Sequence, residues 1–146
     1  MSSEMERRLK VMSEWAKGTM VEALGVRFKE LDSKRVVAEV DFHAGIKQLT
    51  GLVHAGAFAS LADTIATILA VYNIDPSGRV GPDRFPLTIN LSANFVGNVS
   101  SGKIVAESIP LHRGRTTMVM ETKVTDGKGR LLALVRTTHL VPNRNL

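Results

Sequence analysis

From residue 48 to residue 74 the sequence carries one charged side chain, Asp63, set in the middle of the apolar run 55–72. A carboxylate with so little charge around it has two readings. It is a structural aspartate satisfied by hydrogen bonds or an ion pair, or it is a group whose surroundings tune it as a base or nucleophile. Its neighbours favour chemistry. Gln48, His54 and the pair Ala55-Gly56 lie within fifteen residues of it, and a helix beginning at Ala55 would present the amides of Ala55, Gly56 and Ala57 as a site for an oxyanion or phosphate. His54 and Gln48 can each donate to a carbonyl oxygen, although His54 also reads plainly as a capping histidine. Helical rise places Asp63 about 10–13 Å along the axis from that N-terminus, too far for both to act on one atom within one chain. A site shared across a dimer interface follows, and a two-fold axis would make two of them. His43, His112 and His139 have no metal-ligand spacing with His54 and the chain has no cysteine, so no metal site is expected. No serine occupies a Gly-x-Ser-x-Gly elbow.

These residues need elements to hold them. Residues 3–20 have helix-forming composition, with Leu9, Met12, Trp15 and Ala16 at helical spacing and Gly18 as a stop. Residues 26–31 and 36–42 alternate as strands around Asp32-Ser33-Lys34, predicting a hairpin, and residues 43–51 form a loop. In the helix over 55–72, Phe58, Leu61, Ile65, Ile68 and Tyr72 make a large apolar stripe suited to a sheet. Gly56, Ser60, Asp63, Thr67 and Ala70 make the opposite stripe, small and polar, suited to close approach by another chain or a ligand. Residues 73–86, with Pro76, Gly78 and Gly81-Pro82, read as a long surface connection. Period-two segments then cover 87–95, 103–112, 115–125 and 130–141, joined by turns and predicting a four-stranded antiparallel meander. The expected fold class is α+β: an N-terminal helix, then one long helix supplying the core for about six mainly antiparallel strands.

Gln48-Leu49-Thr50-Gly51-Leu52-Val53-His54-Ala55-Gly56, followed seven residues later by Asp63-Thr64, resembles the central-helix signature of hotdog-fold acyl-CoA thioesterases of the phenylacetate-degradation (PaaI-like) type. The resemblance spans about residues 20–141 and includes the strand Leu87 to Phe95 and the turn Arg113-Gly114-Arg115. It implies that Asp63 acts as general base or nucleophile, that the Ala55 N–H serves the oxyanion hole, and that Gln48 helps place the thioester. It further implies a water-positioning hydroxyl at Thr67 and, more weakly, a strand hydroxyl at Thr88, with Asn94 of the same strand in the substrate-binding set. One departure is visible. The family usually has Gly-Gly after the histidine, and the methyl of Ala55 crowds the place of the acyl carbonyl. Similar proteins assemble as dimers of dimers, so a homodimer and a tetramer are expected. Coenzyme A enters as part of the substrate, with no separate cofactor, and Arg113 and Arg115 around Gly114 suit its phosphates, with Lys128 and Arg130 as further candidates. The rival readings are an acyl-thioester dehydratase or hydratase and a non-catalytic acyl-CoA-binding module.

Composition bounds the rest. The 146 residues are 44% hydrophobic and carry a net charge of +5, which fits a single domain over 1–146 with a helix at 1–20 and a short tail at 140–146. The basic residues are dispersed among acids and no run of five like charges occurs, so nucleic acid is not the expected partner. Asp63, Gly56, Ser60 and the threonines dilute the run 55–72, so a membrane span is not expected either. The first residues lack a signal-peptide pattern, making the cytoplasm the expected compartment.

Overall fold

The computed structural model describes residues 1–142. In chain order the elements are α1 (Ser3–Ala16), α2 (Met20–Ala23), β1 (Arg27–Leu31), β2 (Val36–Asp41), α3 (Ala55–Ile74), β3 (Leu87–Phe95), β4 (Lys103–Arg113), β5 (Thr117–Asp126) and β6 (Leu131–Leu140), with short 3₁₀ turns at Ala44–Ile46 and Pro82–Arg84. The opening helix therefore stops at Ala16 instead of running to residue 20. Gly18 adopts φ 73°, and Thr19 then caps α2 by accepting from the Val21 N–H. The tail expected over 140–146 is covered only in part, since its last four residues lie outside the described ones.

Six strands form one sheet in the order β1-β2-β4-β5-β6-β3, and every pairing is antiparallel. The expected four-stranded meander is thus corrected to three strands, β4-β5-β6, with β3 carried to the far edge beside β6. Alternation identifies a strand but not its neighbour. Residues 96–102 are not a tight turn; seven residues reach over about 20 Å extended, enough for the roughly 14 Å between strands three places apart. That connection is tied down on the way, with Val96 and Gly97 donating to the Leu132 carbonyl and Val53 donating to the Val99 carbonyl.

The core lies between the sheet and α3. Phe58, Leu61, Ile65 and Ile68 of α3 are buried, as are Val36, Ala38, Val40, Ile104, Ala106, Met120, Val124, Leu132 and Val135 of the strands. Among the described residues α3 is the one helix long and apolar enough to cross a membrane, and here it packs on the sheet. Its two faces differ as expected over the first three turns, where Ser60, Asp63 and Thr67 remain partly open. Ala70 departs from that pattern: Ile68 through Tyr72 are all buried. At this end of α3, Arg8 of α1 donates to the Leu31 and Pro76 carbonyls and lies 5.2 Å from the Tyr72 ring centroid.

Ile65 is fully buried at the centre of this contact. Urea denaturation of Ile65→Ala should show a loss of about 2–5 kcal/mol, against about 0.5–1.5 kcal/mol for Ile65→Val. Equal losses in the two variants would mean that the helix–sheet contact is not close-packed there.

Candidate functional site

Asp63 sits midway along α3 and faces the start of β3. Its Oδ1 accepts a 2.6 Å hydrogen bond from Thr88 Oγ1, and among the described residues nothing engages Oδ2. Thr67, one turn on, places its hydroxyl 3.4 Å from the Thr88 hydroxyl. Thr88 reaches α3 because of an irregularity in its own strand. Thr88 pairs with His139 and Asn90 with Thr138, so Ile89 is an extra residue in β3. Without it Thr88 would share a face with Asn90 and Ser92; with it, Thr88 joins Leu91, Ala93 and Phe95 on the helix side, where Phe95 stacks on Phe58.

Behind Thr88 stands a residue that the sequence did not single out for chemistry. His139 is fully buried, with Nδ1 3.4 Å from Thr88 Oγ1 and Nε2 2.9 Å from Thr137 Oγ1. Thr88 spends its one hydroxyl proton on Asp63, so the pattern assigns the His139 proton to Nδ1, facing Thr88, and leaves Nε2 to accept from Thr137. Burial pushes the His139 imidazole below its usual pKa, and the nearby charge of Asp63 opposes that shift without overcoming it. The signal was present in the sequence: in residues 130–141, period two puts His139 on the face of Ala133 and Val135.

At the N-terminus of α3 the amides are unequally free. His54 is the N-cap, and its Nδ1 accepts from the Gly56 N–H at 2.8 Å. The Ala57 N–H goes to the His54 carbonyl at 2.8 Å. Of the three amides expected to form an oxyanion site, only that of Ala55 lacks an acceptor among the described residues. With Nδ1 accepting, neutral His54 carries its proton on Nε2, which faces outward on an exposed ring. Gln48 is turned onto its own loop, accepting from the Thr50 N–H and donating to Thr50 Oγ1.

Helical rise sets the Ala55 amide about 12 Å from Asp63 along α3, and the structure does not bring His54, Gln48 or Gly56 to Asp63 within the chain. Asn94 is further removed. It pairs with Leu134 on the sheet face opposite α3, and its side chain is exposed. Arg113, Met118, His139 and Thr88 occupy one row across β4, β5, β6 and β3, so Arg113 is three strand spacings, about 14 Å, from Thr88. Arg113 remains exposed while donating to the Ser33 carbonyl at 3.1 Å, and Arg115 is exposed without a partner among the described residues. Gly114 has a steric role in this turn. Its N–H donates to the Thr117 carbonyl, and an added Cβ would come within 2.6 Å of that oxygen. Arg130 is occupied by Asp126 and the Asn98 carbonyl.

Residues 50–133 match the thioesterase superfamily. The chain is 34% identical over 132 residues to the proofreading thioesterase EntH of Klebsiella pneumoniae, covering 89% of this chain and 90% of that protein. It superposes on a thioesterase from Haemophilus influenzae with TM-score 0.82 at 21% identity, covering 92% of this chain and 90% of that one. A hypothetical thioesterase from Streptococcus pneumoniae solved with coenzyme A gives TM-score 0.69 at 20% identity, covering 80% of this chain and 87% of that one. The long helix wrapped by a six-stranded antiparallel sheet is the hotdog fold, and the chain belongs to the thioesterase superfamily as a hydrolase acting on thioester bonds.

Proposed function

We propose that the protein hydrolyses acyl-CoA thioesters to a carboxylic acid and coenzyme A, with Asp63 as general base. The observation that carries this reading is a carboxylate held on one oxygen by Thr88 and, among the described residues, unengaged on the other, alone on an otherwise uncharged helix. Water lies against Oδ2, and its oxygen attacks the thioester carbonyl carbon as Asp63 takes the proton. The carbonyl electron pair moves to oxygen, where the Ala55 N–H at the positive end of α3 receives it, with the His54 Nε2–H beside it. Collapse re-forms the carbonyl and breaks the carbon–sulfur bond; the thiolate leaves with a pKa of about 8–9 and needs little acid assistance. Shuffling protons at the α and β carbons, as a dehydratase does, needs an acid–base pair on one substrate, and among the described residues Asp63 faces no second open titratable group.

Because Ala55 and Asp63 of one chain are about 12 Å apart, the amide that meets the carbonyl at Asp63 is that of the partner subunit's Ala55. The surface for such a partner is the edge strand β3, with Leu87 55%, Ile89 56% and Phe95 46% exposed, next to the small face of α3. A long apolar edge left open is an aggregation hazard unless another chain covers it. Arg115 and Arg113, beyond the C-terminal end of α3, suit the phosphates of coenzyme A, and the complex of the Streptococcus pneumoniae thioesterase with coenzyme A agrees with a substrate of that class.

Asp63→Asn should lower kcat for acyl-CoA hydrolysis by about 10²–10⁴ while leaving the oligomer intact by light scattering; undiminished turnover would remove Asp63 from the reaction. Arg115→Ala should raise KM for acyl-CoA much more than for the matching pantetheine thioester, and equal effects on both would take Arg115 out of the nucleotide site. His139 gives a pH signature of its own. Its folded pKa lies below the ordinary 6.5, so the unfolded chain binds the extra proton. Its contribution to stability is complete above about pH 6.5 and is lost progressively as pH falls below that value. The urea midpoint of the native protein should therefore decline from pH 7 to pH 5, and that of His139→Gln should be flatter over the same range. Parallel curves would show that His139 is not neutral in the folded state.

A further inference from the structure

Beside the Asp63 face of α3 lies a cavity of about 230 Å³ between the C-terminal end of α1 and the flank of α3. Met12, Trp15, Phe28, Thr64, Ile68 and Phe85 line it. Trp15 and Phe85 meet edge to face across it, with ring centroids 5.8 Å apart. We infer that this cavity receives the acyl group of the substrate and selects apolar acyl groups the size of one aromatic ring with a short substituent, or an alkyl chain of similar volume. The inference rests on the thioesterase reading of Asp63 given above.

Three observations carry it. The first is position: Thr64 follows Asp63 directly on α3, and Phe85 precedes by three residues the Thr88 that holds Asp63. An acyl chain leaving a carbonyl at Asp63 has this wall next to it. The second is chemistry. The lining holds no charged side chain, and both of its threonine hydroxyls are spent inside the protein. Thr64 donates to the Ser60 carbonyl at 2.7 Å; Thr19 donates to the Ala16 carbonyl at 2.6 Å and caps Val21. A polar or charged acyl group would find no partner there and would lose its hydration. The third is size. A dry apolar cavity of about 150 Å³ accommodates benzene, so a cleft of about 230 Å³ has room for one ring with a short substituent.

The chain has a single tryptophan, and it lines this cavity, so its emission reports on the site without interference. The experiment measures kcat/KM for acetyl-, hexanoyl-, benzoyl- and dodecanoyl-CoA, together with Trp15 emission on adding S-hexyl-CoA, a non-hydrolysable thioether, or free coenzyme A. The variants are Ala16→Phe, which fills the cavity from α1, and Phe85→Ala, which enlarges it. We expect hexanoyl- and benzoyl-CoA to be preferred by the native protein, and S-hexyl-CoA but not coenzyme A to change the Trp15 emission. Ala16→Phe should lower the hexanoyl-to-acetyl ratio of kcat/KM about tenfold or more, and Phe85→Ala should raise the dodecanoyl-to-hexanoyl ratio by a similar factor. Hydrolysis with ratios within twofold of native in both variants, and with silent Trp15, would overturn the acyl cavity and leave the thioesterase reading standing. Failure to hydrolyse any of the four thioesters would overturn that reading and the cavity's role with it. If Ala16→Phe does not fold, as judged by circular dichroism, the Phe85→Ala ratios and the native emission response decide the matter.

Discussion

Burying a 20-residue helix with almost no polar face is the constraint from which the rest of the molecule follows. Such a helix cannot lie on a surface, and a flat sheet covers only one side of it. The sheet must therefore wrap, β3 must travel to the far edge to extend that wrapping, and α1 must close the end that the sheet leaves open. What remains partly uncovered is one short strip, Gly56 through Thr67, and the single carboxylate of α3 falls within it. The site is placed by the limit of the covering.

Within that frame the chemistry depends on small local devices. One additional residue at Ile89 turns Thr88 from the outer face to the helix face, and a buried neutral histidine then occupies the far side of that hydroxyl. Neither device adds charge to the site. Asp63 accepts a short hydrogen bond from Thr88, and among the described residues no cation pairs with it. The carboxylate so held stays partly exposed. Several basic residues are paired with acids away from Asp63: Arg27 with Asp41, Arg35 with Glu107, Lys103 with Glu39 and Arg136 with Glu121.

Much of this was legible in the chain itself. Asp63 stood out by the absence of other charges, the six strands by alternation and turn residues, and His54 by its place before a helix start. The order of strands was not legible, because a period of two records which face a side chain takes and nothing about the neighbouring strand. Thr88 entered only as a strand hydroxyl suggested by resemblance, and its helix-side position was not legible, since simple alternation along β3 puts it on the other face and a bulge has no composition of its own. His139 had the right periodicity to be found buried. Its meaning depends on two strands, β3 and β6, lying side by side, a fact that appears only in three dimensions. The separation of Asn94 from Asp63 follows from the same register.

The capping of α3 carries a further consequence. A helix start that offered three free amides would be a cradle for phosphate, and phosphate groups travel with every molecule of coenzyme A. Here His54 takes one of those amides with its ring and another with its carbonyl, leaving a single N–H. One donor suits one oxygen of a polarised carbonyl and is a poor host for a tetrahedral oxyanion with several oxygens to satisfy. On the proposed reading, the cap leaves the nucleotide end of an acyl-CoA no three-amide cradle at the pole of the helix where the carbonyl is to sit.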